Sequence, residues 1–69
     1  MQAIHHDNYI VPIASISRIE KAWWNDKLIV IFLNHAIAGT THINFGYENK
    51  EARDCAFGGL TMAFNTFEG

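Results

Sequence analysis

The feature that most constrains this chain is an unbroken run of apolar residues at positions 28–33. Its β-branched and aromatic side chains predict a strand, in which consecutive side chains point to opposite faces of a sheet. An antiparallel sheet with one wet face alternates apolar with polar residues, and this run does not. Both faces of the strand therefore need cover, Leu28, Val30 and Phe32 on one side and Ile29, Ile31 and Leu33 on the other.

The shortness of the chain limits the size of its core. Its 69 residues suffice for one small domain, residues 1–69, and its 49% hydrophobic and 17% charged residues exclude a disordered chain. A single core of this size supplies only about 3–5 kcal/mol unless disulfides, metals or partners add to it. Because one cysteine cannot form a disulfide within the chain, self-association is the route that the apolar composition favours.

Turn-forming residues divide the first part of the chain into strands. Asp7-Asn8 and Asn25-Asp26 predict tight turns because these residues tolerate hairpin backbone angles, and Ala38-Gly39 marks a further turn. Pro12 indicates an edge strand or a strand end, because proline cannot donate to a ladder. The expected strands are residues 1–6 paired with 9–11, then 16–24, 28–35 and 41–47, with a single turn at 12–15.

After Tyr47 the apolar pattern changes to that of a helix. Asn49 can cap its start, and Glu51 places a carboxylate in its first turn. We expect this helix to cover residues 50–67. The predicted fold is α+β, a three- or four-stranded antiparallel sheet followed by one C-terminal helix packed across it.

The succession of segments resembles a broad group of bacterial proteins. The segments are IVPIASISRIEK, LIVIFLNHA, THINFGY and NKEARDCAFGGLTMAF. Their order is similar to that of small uncharacterised bacterial proteins with strands before one helix, some of which are carried on mobile gene cassettes. The resemblance covers most of the chain and implies the strands-then-helix fold. It assigns no functional residue.

The helix carries more apolar surface than one sheet can cover. At about 100° per residue its apolar arc spans roughly 220°, against about 100° for an ordinary surface helix. Arg53 falls inside this arc, so we expect it either to snorkel or to pair at a boundary. The centre of the arc is a close-packing stripe of small side chains, Ala52, Ala56, Gly59 and Ala63.

Two interpretations account for the small-residue stripe. The favoured one is that a bulky sheet residue such as Trp23 or Trp24 packs over Gly59. The other is that two helices cross there and their backbones approach closely. Under either interpretation Gly59→Leu is expected to disrupt folding or assembly by overpacking.

Histidines and the cysteine are the candidates for chemistry. His35 and His42 would lie directly opposite each other if Ala38-Gly39 formed a two-residue loop, and a three-residue loop would separate them. Two histidines fall short of the usual three protein ligands of a catalytic zinc site, so no metal or other cofactor is expected. Cys55 is predicted on the apolar arc, where a thiol is usually inert.

Charge and hydropathy argue against nucleic acid and membrane partners. Trp23, Trp24 and Tyr47 could stack on bases, but the formal net charge is −2 and phosphate binding needs basic residues. The longest apolar run falls far short of the about 20 residues that span a bilayer. The first residues lack the basic and apolar regions of a secretory signal, so a cytoplasmic location is expected by default.

These patterns predict a non-enzymatic homo-oligomeric interaction module, with a dimer as the default and a second protein as a further partner. An alternative is a small-molecule-binding protein whose apolar pocket forms between subunits and is lined by Trp24, Phe57 and Phe64. A third hypothesis is an enzyme that uses His35, His42 or Cys55. The candidate interface residues are Ile29, Ile31, Leu33, Trp24, Phe57 and Phe64.

Overall fold

The computed structural model describes residues 3–67, in which five strands are followed by one α-helix. The strands form two antiparallel sheets, a β1–β2 hairpin and a three-stranded sheet in the order β3-β4-β5. This confirms the α+β class, the antiparallel sheet and the C-terminal helix. The elements are β1 (Ala3–His6), β2 (Tyr9–Pro12), a 3₁₀ turn (Ile13–Ser15), β3 (Ile16–Lys21), β4 (Leu28–Ile37), β5 (Thr40–Gly46) and α1 (Lys50–Asn65).

The predicted hairpins at both ends of the strand region are present. Asp7 has φ 51° in the turn that pairs His6 with Tyr9, although Met1 and Gln2 of the first predicted strand lie outside the described residues. Ala38 and Gly39 have φ 52° and 81°, as a two-residue turn of type I′ requires. The predicted 12–15 turn is the 3₁₀ turn Ile13–Ser15.

The predicted turn at Asn25-Asp26 belongs to a longer connection. β3 ends at Lys21 rather than at Trp24, and residues 22–27 link it to β4. The last ladder contact is the Ala22 amide, which donates to the Leu28 carbonyl at 3.2 Å. Asn25 then holds the loop, its side-chain oxygen accepting from the Lys27 amide at 2.9 Å. Because β3 ends at Lys21, both tryptophans lie outside the sheet.

One face of the three-stranded sheet forms the core. Cross-strand pairing places Ile29 opposite Phe45, and Ile31 between Ile19 and Ile43, all on this inner face. A β-bulge at Ser17 allows Ile16 to face inward as well. The β1–β2 hairpin, the 3₁₀ turn and α1 all pack on this face, with these residues buried: Ile4, Val11, Ile13, Ile16, Ile29, Ile31, Leu33 and Phe45.

The outer face of the same sheet is covered by its own polar residues. Val30 is only 2% exposed, and it sits between Glu20 and Asn44 on the flanking strands. The Arg18 guanidinium lies 3.9 Å from the centroid of the Phe32 ring. Long polar side chains thus shield this apolar stripe, and the expectation that it needs a separate covering layer is corrected.

The helix is fixed to the sheet at its first turns. The Asn49 side chain accepts from the Ala52 amide at 2.7 Å, which confirms the predicted cap. Arg53 is buried, and its Nη1 donates to the Leu28 carbonyl at 3.2 Å while its Nε donates to Asp54 at 2.7 Å. Of the two alternatives predicted for Arg53, snorkelling and pairing, the structure contains pairing.

Asp54 connects the helix to β3 through a second cation. Lys21 points inward from β3, and its ammonium lies 3.3 Å from the Asp54 carboxylate and 5.2 Å from the centroid of the Phe57 ring. Desolvation acts to raise the pKa of Asp54, but hydrogen bonds from Arg53 and Lys21 outweigh it and lower that pKa below its ordinary value. The carboxylate is thus held ionised between two cations.

Candidate interaction surface

A groove with a volume of about 650 Å³ lies between β2 and the far end of the β4–β5 hairpin. Asn8 and β2 form one side, Leu33 and Ile37 form the floor, and β5 forms the other side. Consecutive residues of each strand line it, Tyr9–Pro12 on β2 and residues 42–44 on β5. Because consecutive strand residues face opposite ways, a groove lined by all of them follows the strand edges.

The groove exists because β4 is longer than the strand beside it. β3 begins opposite Leu33, whereas β4 continues to Ile37 before the turn. Residues 34–42 therefore project beyond the body, and each of them is exposed. The inner face continues along this arm without cover, so Leu33 is buried while Ile37 is 41% exposed.

The groove exposes large apolar side chains and carries no formal charge. Tyr9 is 46% and Ile10 67% exposed, and both line it together with Ile37. None of its lining residues is Asp, Glu, Lys or Arg, although the chain has 12 such residues, 5 basic and 7 acidic. An exposed apolar patch with a polar rim is typical of an interaction site.

His6 attaches the hairpin to β5 beside the groove. A carbonyl can only accept, so His6 Nε2 donates to the Gly46 carbonyl at 2.9 Å. The imidazole stacks on the Phe45 ring with a centroid distance of 4.6 Å and lies 4.7 Å from that of Tyr47. Burial, and then the charge of Asp7, raises the pKa of the Tyr47 phenol above its ordinary value. These contacts attach the β1–β2 hairpin to the end of β5 and to Tyr47.

Three of the predicted interface residues lie in the core instead. Ile29 and Ile31 are 0% exposed and Leu33 is buried, all on the inner face beneath the helix and the hairpin. The sequence did not indicate that two elements would share this face. These side chains are therefore not available to a second chain, which corrects their assignment as interface residues.

The tryptophans occupy the β3–β4 loop. Trp23 is 91% exposed and Trp24 is half-exposed, and their rings pack edge to face with centroids 5.6 Å apart. Neither contributes to the core, and neither lies in the strand that was predicted over residues 16–24. Phe57 and Phe64 are half-buried on the helix and pack against the core. The groove includes neither phenylalanine nor Trp24, so its lining differs from that of the predicted pocket.

The small-residue stripe of the helix is divided between core and surface. Ala56 and Ala63 pack against the core, and Ala52 is half-buried. Gly59 is exposed, and a Cβ built on it meets no atom within 4 Å. No tryptophan covers Gly59, so the favoured interpretation of the stripe is wrong at this position.

The candidates for chemistry are not brought together. The two-residue turn is present, but an irregularity between Phe32 and Ile37 shifts the register, so His42 pairs with Phe32 and not with His35. His35 Nδ1 instead donates to the side-chain oxygen of Asn34 at 2.6 Å. Cys55 is exposed rather than on the apolar arc. Within residues 3–67 no group of three or more His, Cys, Asp or Glu side chains could hold a metal ion.

Sequence reasoning missed the groove, although one signal pointed to it. Tyr9 and Ile10 are adjacent apolar residues on a strand of four residues, and only one of them can face the core. Val11 and Ile4 form the buried pair of that hairpin. The overhang of β4 past β3 had no such signal, because it depends on where β3 begins.

Comparisons of the chain with protein-family models, curated proteins and solved structures found no match. In the described part of the chain, no helix has the length and apolar character needed to cross a membrane.

Proposed function

We propose that this chain is a non-enzymatic interaction module that associates with copies of itself, as a dimer, through the groove beside β2 and β5. The observation that carries the proposal is the exposure of Tyr9, Ile10 and Ile37 along an uncharged groove. A two-fold dimer uses the same patch on both copies and leaves none of it unpaired.

The energetics of burial support self-association. Fully burying a large apolar side chain contributes about 1.5–3 kcal/mol, and about half of that applies to each of these three residues, because they are about half exposed. A two-fold axis counts each of them twice. Their sum is comparable to the roughly 4–15 kcal/mol that association costs in lost freedom. Because the lining is uncharged, no like charges oppose the approach of two copies.

The chemistry of the lining favours a binding role over catalysis. Its polar groups come from Asn8, Tyr9, Thr40, His42 and Asn44, with no carboxylate, thiol, lysine or arginine among them. His42 thus has no carboxylate, thiol or lysine beside it in the groove, and Tyr9, the other titratable residue of the lining, belongs to β2 on the opposite side.

A small-molecule site is the second candidate, and the volume of the groove favours it. About 650 Å³ lies within the range of about 300–1,000 Å³ for ligand pockets. A dimer that closes over the groove would supply the missing wall. Binding of an apolar fluorescent probe to the wild-type dimer, and loss of that binding in the Ile37→Asp variant, would support this role.

The test of the main proposal compares two charged variants of matched exposure. Ile10→Asp alters the groove, and Met62→Asp alters the helix at a side chain 69% exposed, against 67% for Ile10. By gel filtration with light scattering, we expect Ile10→Asp to be a folded monomer and Met62→Asp to remain a dimer. Equal masses for the two variants would overturn the groove as the contact surface.

A further inference from the structure

The main-chain groups of β5 point in alternating directions that can be assigned residue by residue. The Tyr47 amide donates to the Lys27 carbonyl at 2.9 Å, in register with the β4–β5 pairs. In an antiparallel ladder such bonded pairs alternate with unbonded ones, so Phe45 and Ile43 also bond to β4. The N–H and C=O groups of His42, Asn44 and Gly46 consequently point away from β4, toward the free edge.

The contact of His6 agrees with this assignment. Its imidazole donates to the Gly46 carbonyl, the outward-facing group at the end of the strand. Among residues 3–67 no backbone or side-chain hydrogen bond reaches the outward groups of His42 and Asn44. The edge of β5 is thus capped at Gly46 and open along the groove.

The other edge of the three-stranded sheet is protected against pairing. β3 carries Arg18, Glu20 and Lys21, and a bulge at Ser17 interrupts its ladder. Charges, bulges and prolines are the devices by which edge strands avoid pairing with other chains. β5 has neither a charged residue nor a proline among its seven residues TTHINFG, and the irregularity of its ladder comes from extra residues on β4, between Phe32 and Ile37.

We propose that β5 of one copy pairs antiparallel with β5 of a second copy about a two-fold axis, which makes one sheet continuous across the dimer. His42 of each chain lies opposite Asn44 of the other, and the axis passes beside Ile43. This inference rests on the proposed self-association and specifies its geometry.

A second copy suits this edge better than an unrelated peptide. Antiparallel pairing of a strand with itself satisfies the same donors and acceptors on both sides. The edge and the groove lack formal charge, so they offer no attraction to an acidic or basic segment and no repulsion to a copy of themselves. The groove supplies the space for a strand beside β5.

Amide hydrogen exchange measured residue by residue tests the pairing without any substitution. At concentrations where the protein is a dimer, we expect the His42 and Asn44 amides to be protected, and on dilution to lose that protection. The Ile43 and Phe45 amides, bonded to β4, serve as internal controls and remain protected in both conditions. Fast exchange of His42 and Asn44 in a proven dimer would overturn edge pairing and leave the proposed self-association standing.

A variant pair at Asn44 gives an independent measurement. Asn44→Pro removes an outward N–H and spares the bonds to β4, so we expect a folded chain and loss of the dimer by sedimentation velocity. Asn44→Thr keeps the N–H and should remain a dimer. A dimer formed by Asn44→Pro would refute the pairing, whereas a wild-type monomer at every concentration would refute both proposals.

Discussion

At the scale of single residues, the buried Arg53 is the side chain on which the helix–sheet junction depends most. Its guanidinium gives the Leu28 carbonyl a second donor beside the Ala22 amide, and it holds Asp54 in place. Arginine inside an apolar arc predicted snorkelling or pairing, and the structure contains the pairing. The partner on β4 could not be predicted, because it depends on how the helix crosses the sheet.

We expect Arg53→Met to lower the free energy of unfolding by about 1–3 kcal/mol, because the Leu28 carbonyl loses its side-chain donor and Asp54 loses a cation. Urea unfolding of the variant and of Lys50→Met, an exposed neighbour, measures the difference. Equal midpoints would show that the Arg53 contacts contribute nothing to stability.

Asp54 makes part of the stability dependent on acid. Its pKa is lower in the folded chain than in the unfolded one, so its contribution is fully present above the unfolded value, about 3.9, and is lost as pH falls through the folded value. We expect Asp54→Asn to be less stable at neutral pH and to lose less stability between pH 5 and about 2. Thermal melts over that pH range check this, and parallel losses in variant and wild type would contradict it.

Substitutions at Gly59 distinguish the helix stripe from the groove as the contact between copies. A side chain there meets open space, so we expect Gly59→Ala to raise the free energy of unfolding by about 1 kcal/mol through helix propensity. Gly59→Leu should fold and still form the dimer, contrary to what the sequence suggested. If Gly59→Leu were a folded monomer, the helix stripe rather than the groove would be the contact between copies.

At the scale of elements, residues close in sequence were enough to predict a cap, a turn and a strand, whereas the pairing between distant strands could not be predicted. Asn49, Ala38-Gly39 and the run of apolar residues 28–33 each predicted the element that the structure contains. The strand partner of His42 could not be predicted, because it depends on the irregularity that shifts the β4–β5 register between Phe32 and Ile37. The burial of Val30 likewise depends on neighbours on two other strands.

The β4–β5 turn holds Ala38 in a backbone conformation that is unfavourable for alanine. Ala38 adopts φ 52°, a region that costs an L-residue about 1–2 kcal/mol and that asparagine tolerates better. We expect Ala38→Asn to raise the free energy of unfolding by about 0.5–1 kcal/mol. Urea titration of the variant and of the wild type measures the difference. A lower midpoint for the variant would mean that the turn is not of type I′.

At the scale of the whole molecule, the fold places its uncovered apolar surface at one end. The core is complete under the helix and the hairpin, and the arm carries the inner face past that cover to Ile37. The sequence indicated excess apolar surface but assigned it to the middle of β4. It could not show that two elements share one face and that polar side chains shield the other.

Sedimentation equilibrium of the wild-type chain over a wide dilution series measures its self-association directly. We expect the measured mass to be twice the chain mass of 7.8 kDa at high concentration and to fall to 7.8 kDa on dilution. Over the same dilution series, Ile10→Asp should keep a constant mass of about 7.8 kDa, that of a monomer. A constant mass of 7.8 kDa for the wild type at every concentration would show that the chain does not self-associate.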